Sequence, residues 1–387
     1  MLDRFELPQH DSNVRTEVQA GTATFMAMAY IAVVNPAILA EAGMDFGAVF
    51  VATCLAAALG SILMGVLANY PVALAPGMGQ NAFFTFGIVL GTGHPWQTAL
   101  GAVFISGILF IVLSVLPVRE WLINAIPRSL KLGISAGVGL FLGFIALKNA
   151  GLVVDNPATL LAMGDITGAG PLLALIGFAL IVALTARGIP GAVLIGMLAV
   201  TVAGWLIGAA EFIGVVAMPP DPSPVLLQLD IAAAFEWSMV TVILTLLLVD
   251  VFDTAGTLVG VAARSGLMRP DGTLPRLRSA LLADSGATAA GALLGTSSTT
   301  SYIESGAGVA AGGRTGLTAV TTGVLFLACL FFAPLAQSVP PFATAAALLF
   351  VACLMARGLA EVNWEDATEF APAVITALAM PLVFSIA

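Results

Sequence analysis

Four acidic side chains interrupt long apolar runs: Asp250, Asp253, Asp284 and Glu304. Ionisable groups inside apolar spans are costly to keep and tend to be functional. No lysine, arginine or histidine accompanies them, and an anion site would want fixed positive charge. Carboxylates without basic partners point to neutral or cationic substrates and to protons. Asp250 and Asp253, in Leu248-Val-Asp-Val-Phe-Asp-Thr-Ala-Gly-Thr257, are three apart and are expected on one helix face. Two neighbouring carboxylates resist joint ionisation, so a protonated member could hydrogen-bond a substrate or couple its movement to a proton. The competing role is to bind backbone or hydroxyl groups and fasten helices together. Asp284 closely follows Arg276 and Arg278 and is read as structural, near an interface where an ion pair or cap costs little.

Glu304 ends Ser301-Tyr-Ile-Glu304, which fits a capping box closing a short helix. Its place in an interrupted segment favours a ligand contact as well, because a helix start offers free backbone N–H groups. Asn81 both donates and accepts, as reading the edge of a heterocycle requires, and Gly77 and Gly79 allow a ligand close to the backbone. Helix packing would use the same small residues. Among the aromatic residues nearby, Tyr302 stands out as a stacking candidate for a planar ligand because it lies two positions from Glu304.

The elements that position these residues follow from composition. The chain has 387 residues, 59% hydrophobic and 9% charged, with net charge −9. A soluble domain has charged residues at about a quarter of its positions, so soluble enzymes, nucleic-acid binders and fibrous proteins are excluded and the lipid bilayer is the expected solvent. Cys54, Cys329 and Cys353 have no metal-ligand spacing and the two histidines are His10 and His94, so neither a disulfide framework, a metal site nor a cofactor is expected. Gly312-Gly-Arg-Thr-Gly316 lacks the Gly-Lys-Ser/Thr of a phosphate loop and reads as a tight turn, as does His94-Pro95.

A spanning helix needs about 20 apolar residues. Thirteen segments are expected, at 18–40, 47–70, 72–90, 96–117, 130–148, 169–187, 190–213, 232–262, 279–294, 296–313, 315–336, 341–356 and 371–387. Residues 1–17 are polar, without the layout of a cleaved signal peptide, and are expected in the cytoplasm. Threading from that side places twelve of the thirteen Lys and Arg residues inside, Arg119 among them, and Lys148 outside. That asymmetry is the positive-inside pattern. Segments 3 and 10, Pro71-Val-Ala-Leu-Ala-Pro-Gly-Met-Gly-Gln-Asn-Ala-Phe-Phe84 and Gly295-Thr-Ser-Ser-Thr-Thr-Ser-Tyr-Ile-Glu-Ser-Gly-Ala-Gly308, open with residues suited to extended backbone and continue as short helices. Matching interrupted segments in two halves point to a transporter site at the midplane. Asn81 and Glu304 are 304 − 81 = 223 residues apart, and the same offset sets Tyr30 opposite Asp253.

These motifs, with Thr22-Ala-Thr-Phe-Met-Ala-Met-Ala-Tyr-Ile-Ala-Val-Val-Asn-Pro36, resemble the AzgA-type purine permeases of the nucleobase-cation symporter-2 (nucleobase-ascorbate transporter) superfamily along the whole chain. The resemblance implies an all-α polytopic membrane protein of two inverted seven-helix repeats. Residues 18–117 and 232–336 would form a core domain, and 118–213 and 341–387 a gate domain. It also implies proton-coupled import of hypoxanthine, guanine or adenine across the cell membrane, a bacterial inner membrane by the short loops. Asp253 would hydrogen-bond the base from segment 8, Glu304 from segment 10 and Asn81 from segment 3, with Gly79 and Tyr302 beside them. Asp250, Asp253 and Glu304 are the proton-coupling candidates. Thr257 stands where the related uracil carriers have a histidine, which leaves the proton route open. The family continues past Phe384-Ser-Ile-Ala387 with a further gate helix, so the last helix is expected to be missing from this sequence. A homodimer is compatible with the superfamily.

Two other classes compete. An anion carrier of the same fold group, for sulfate-like or bicarbonate-like substrates, would need a neutral or positive site, against which Asp253 and Glu304 argue. An intramembrane enzyme would need a nucleophile–base pair or metal ligands, and no histidine falls within a span.

Overall fold

The computed structural model describes residues 2–116, 127–269 and 273–383. Arg119 and the ending at Ala387 lie outside the described residues. Along the chain, α1 (Val14–Met28) and α2 (Ile31–Ala40) make one broken span, followed by α3 (Phe46–Leu63). Strand β1 (Leu74–Pro76) leads into α4 (Met78–Ala82), which continues as a π-helical stretch, and then comes α5 (Trp96–Val115). Next are α6 (Arg128–Asn149), a hairpin of β2 (Val153–Asn156) and β3 (Leu160–Met163), α7 (Ala169–Ala186) and α8 (Ala192–Leu206). The remainder holds α9 (Trp237–Ser265), α10 (Leu277–Leu294), β4 (Thr299–Ser301), α11 (Ser305–Ala310), α12 (Gly316–Cys329), α13 (Pro341–Ala356) and α14 (Ala367–Val383).

Each of the thirteen expected segments thus meets helix. Among the described residues, eight helices are long and apolar enough to cross a membrane. The other five segments are α8, α14, the polar α10 and the two that open with strands. The β2–β3 hairpin was not expected, because Leu160 to Met163 reads as apolar sequence without alternation. Helix α1 starts at Val14, inside the segment expected as a tail. Asn13 caps it, accepting from Thr16 N at 3.0 Å.

The chain divides into two compact units, Met1–Ala125 with Met218–Phe331, and Ile126–Ala217 with Phe332–Ile386. In the first, Met64, Tyr70, Leu74, Phe110, Leu258 and Leu281 belong to one buried apolar cluster. Helix pairs in lipid gain little from the hydrophobic effect and depend on close packing, which small residues permit. A Cβ at Gly316 would fall 2.0 Å from the carbonyl oxygen of Gly65, so α12 begins backbone-to-backbone against the end of the α3 span. Glu17 is fully buried there. Its carboxylate accepts from Arg314 N at 3.0 Å, Thr315 N at 3.2 Å and the Thr318 hydroxyl at 2.5 Å. A buried charge at a helix start is compensated by these donors and by the helix dipole. In the second unit, Gly133 and Gly139 let α6 press against Ala373 of α14 and Met355 of α13.

Candidate substrate-binding site

The two interrupted segments cross as a two-stranded antiparallel ribbon. Leu74 pairs with Ser301, Ala75 with Thr300 and Pro76 with Thr299. Gly77 N donates to Ser298 O at 2.8 Å and Tyr302 N to Ala73 O at 2.9 Å, closing the ribbon at both ends. Proline and hydroxyl-bearing residues supply the extended backbone, and each strand is released into a short helix. Gly77 is needed at the crossing, where a Cβ would lie 2.9 Å from Thr300 Cγ2.

On the first strand's side, Asn81 and Gly79 sit buried in the opening turn of α4. Asn81 Oδ1 accepts the Ser297 hydroxyl from the opposite segment. Among the described residues its Nδ2 is buried with no partner, as is Oε1 of Gln80. Buried polar atoms are nearly always paired, so these orphans on successive residues are candidates for bonding a ligand or water.

On the second strand's side, Glu304 stands at the N-cap of α11, half-buried, and makes no capping bond. The expected capping box does not form. Ser301 instead donates to Asp284 Oδ1 at 2.7 Å, and Glu304 Oε1 accepts the Tyr30 hydroxyl at 2.7 Å. Tyr30 lies at the break between α1 and α2. Tyr302 is 6% exposed, and its hydroxyl donates to Pro76 O at 2.5 Å. It fastens the two strands, which leaves little of its ring open to stack.

Asp250 and Asp253 do not share an environment. Three residues on a helix return to within about 60° of the starting direction, and that offset divides buried from open. Asp250 is fully buried, 3.3 Å from Gln80 Nε2 and 2.9 Å from the Thr288 hydroxyl. Asp253 is exposed, and no hydrogen bond reaches its carboxylate among the described residues. Asp284 corrects the sequence reading in its surroundings: among the described residues it has neither an ion pair nor a cap. It is fully buried and accepts from Thr254 at 2.6 Å as well as from Ser301. Gln80, Thr254, Thr288 and the Tyr30 contact to Glu304 were not anticipated. One signal was available, since Asp-x-x-x-Thr occurs at both Asp250–Thr254 and Asp284–Thr288.

The site therefore offers two accessible carboxylate acceptors, an amide N–H₂ and an amide oxygen around a strand crossing. Among the described residues no group of three or more His, Cys, Asp or Glu could hold a metal ion.

A family model described as "Permease family" (Xan_ur_permease) matches residues 15–387. The chain belongs to this nucleobase-ascorbate transporter family. The permease is 49% identical to adenine permease AdeP of Escherichia coli over its full length and 87% of that protein. It is 46% identical to guanine/hypoxanthine permease PbuG of Bacillus subtilis, over 99% of this chain and 90% of that one. Among solved structures, the transmembrane domain of the cyanobacterial bicarbonate transporter BicA superposes with a TM-score of 0.72 at 16% identity, covering 96% of this chain and 97% of that one. That likeness shows the fold alone, a helical multi-pass one. The permease is a transporter rather than an enzyme.

Proposed function

We propose that the permease imports purine nucleobases, adenine, guanine or hypoxanthine, across the cell membrane in company with protons. The observation that carries this reading is the presence of Asp253 and Glu304, two accessible carboxylates in no ion pair among the described residues, together with the unpartnered amide atoms of Asn81 and Gln80 on the segment whose strand pairs with that of Glu304. A purine base presents N–H donors and ring-nitrogen acceptors along one planar edge. Carboxylates take the donors and the Asn81 N–H₂ group gives to an acceptor. Gly79 admits the base close to the start of α4, and Tyr302 holds the strands that carry the site. Relatives named as adenine and guanine/hypoxanthine permeases support the substrate class.

Transport on this reading alternates access, the first unit holding the core domain and the second the gate domain, with the two halves of the chain related as inverted repeats. The 223-residue offset between Asn81 and Glu304 and the antiparallel strand pair support that relation. The N-terminus lies in the cytoplasm, by the distribution of Lys and Arg. The test is uptake of labelled adenine, guanine and hypoxanthine into cells lacking their own purine permeases. Unlabelled bases, uracil and bicarbonate serve as competitors, and a proton uncoupler as control. Uncoupler-sensitive uptake blocked by purines supports the reading. Normal membrane abundance without purine uptake, or competition by bicarbonate, overturns it.

A further inference from the structure

Helices α9 and α10 exchange hydrogen bonds reciprocally. Asp250 of α9 meets Thr288 of α10 at 2.9 Å, and Thr254 of α9 meets Asp284 of α10 at 2.6 Å, one turn further along in opposite senses. Both carboxylates are fully buried, and no ion pair reaches either among the described residues. The ionisable groups on the elements packed around α9 are Arg278 at the start of α10, Asp284, Tyr302 and Glu304, and α9 itself adds Asp253 and Arg264. Helix α5, packed on the same side chains, carries none.

Counting hydrogens separates the two acids. The Thr288 oxygen lies 2.9 Å from Asp250 Oδ2 and also 2.9 Å from the carbonyl oxygen of Thr299. A hydroxyl has one hydrogen to give. Thr299 is fully buried, and its place between the bonded ends of the ribbon turns its carbonyl away from β1. Its neighbour across the ribbon, Pro76, has no N–H in any case. Among the described residues Thr288 is the donor that reaches this carbonyl, and a buried carbonyl left without one is penalised. With that hydrogen committed, the Asp250 and Thr288 oxygens sit at hydrogen-bond distance with nothing between them unless Asp250 supplies a proton. Around Asp284 the count closes without one. Thr254 donates to Oδ2 and Ser301 to Oδ1, and the Thr300 hydroxyl, 3.0 Å from Thr254, donates to it in turn.

We propose that Asp250 is the proton-carrying carboxyl of this permease, donating to Thr288, while Asp284 remains the ionised partner. The assignment rests on the proton-coupled reading and goes beyond it by separating the proton site from the accessible Asp253 and Glu304. It also supplies a link between proton and site. When Asp250 releases its proton, the Thr288 hydrogen is drawn to the new carboxylate and Thr299 loses its donor. Strand β4 then loosens from α10, and the same strand leads directly to Tyr302 and Glu304.

The experiment uses the full chain in proteoliposomes with labelled adenine or hypoxanthine, whichever the uptake assay selects. Gradient-driven accumulation is measured beside exchange at equal pH, and the carboxylic-acid C=O band is followed by infrared spectroscopy at neutral pH. Asp250→Asn presents an amide that donates to Thr288 as the acid does. It should lose accumulation but keep exchange, and lose an infrared band that Asp284→Asn retains. Wild-type accumulation persisting in Asp250→Asn, or an unchanged band, overturns the assignment. Should Asp250→Asn not reach the membrane, Thr288→Val decides: a shifted band supports the assignment and an unshifted one overturns it. Wild-type protein that exchanges base but gains nothing from a proton gradient sinks the proton-coupled reading instead, and the infrared assignment is judged separately.

Discussion

Tyr30 and Glu304, 274 residues apart, are joined by one hydrogen bond in which the tyrosine hydroxyl donates to the carboxylate at 2.7 Å. The break between α1 and α2 is thereby tied to the start of α11. A bond to a charged group contributes about 1.5–3 kcal/mol, or a tenfold or larger change in an equilibrium constant. Tyr30→Phe should therefore raise the apparent KM for the base roughly tenfold with membrane abundance unchanged. An unaltered KM would show that the bond does not orient the carboxylate for substrate.

Asp253→Asn and Glu304→Gln keep side-chain volume and remove a charged acceptor. Each is expected to abolish purine uptake, since hydrogen bonds to charged groups are about twice as strong as neutral ones. Insertion, followed by membrane immunoblot, should be normal because neither side chain is fully buried. Full transport by either variant would remove that residue from the site.

Asn81→Ala tests the orphan amide. It removes both the Nδ2 group that has no protein partner and the acceptor for Ser297. Uptake should fall by roughly ten- to hundredfold if the amide reads a base, in line with about 1–3 kcal/mol for a buried polar group left unpaired. Asn81→Asp, which keeps the acceptor and loses the donor, should be equally impaired. Activity in Asn81→Asp with none in Asn81→Ala would restrict the residue to holding Ser297.

Gly316→Ala addresses packing alone. Its Cβ would meet the Gly65 carbonyl at 2.0 Å, so one helix must shift, at a cost of about 1–3 kcal/mol. Thermal unfolding of the detergent-purified protein should move to lower temperature, while KM for the base stays near the wild-type value.

Glu17→Gln should also destabilise without changing KM, because it weakens three contacts to the start of α12. The expected loss is roughly 1–3 kcal/mol, read as reduced thermal stability.

Much of this architecture was legible in the linear chain because spanning helices and their breaks are local properties. Apolar runs of sufficient length marked the spans, and proline, glycine and β-branched hydroxyl residues marked the two segments that open as strands. Asp253, Glu304 and Asn81 stood out because polar groups are conspicuous against such a background. What could not be read locally was partnership. The Ser301–Glu304 spacing fits a capping box, yet Ser301 turns to Asp284 and Glu304 to Tyr30, because partners from other helices reach them first.

The sequence by itself determined that this is a multi-span helical membrane protein with two interrupted segments and a small set of uncompensated acids, since hydropathy and backbone preference act within a few residues. Only the tertiary structure decided which acid is open and which is enclosed. Asp250 and Asp253 differ by about 60° around one helix, and packing against α10 and Gln80 turns that angle into a fully buried group beside an exposed one.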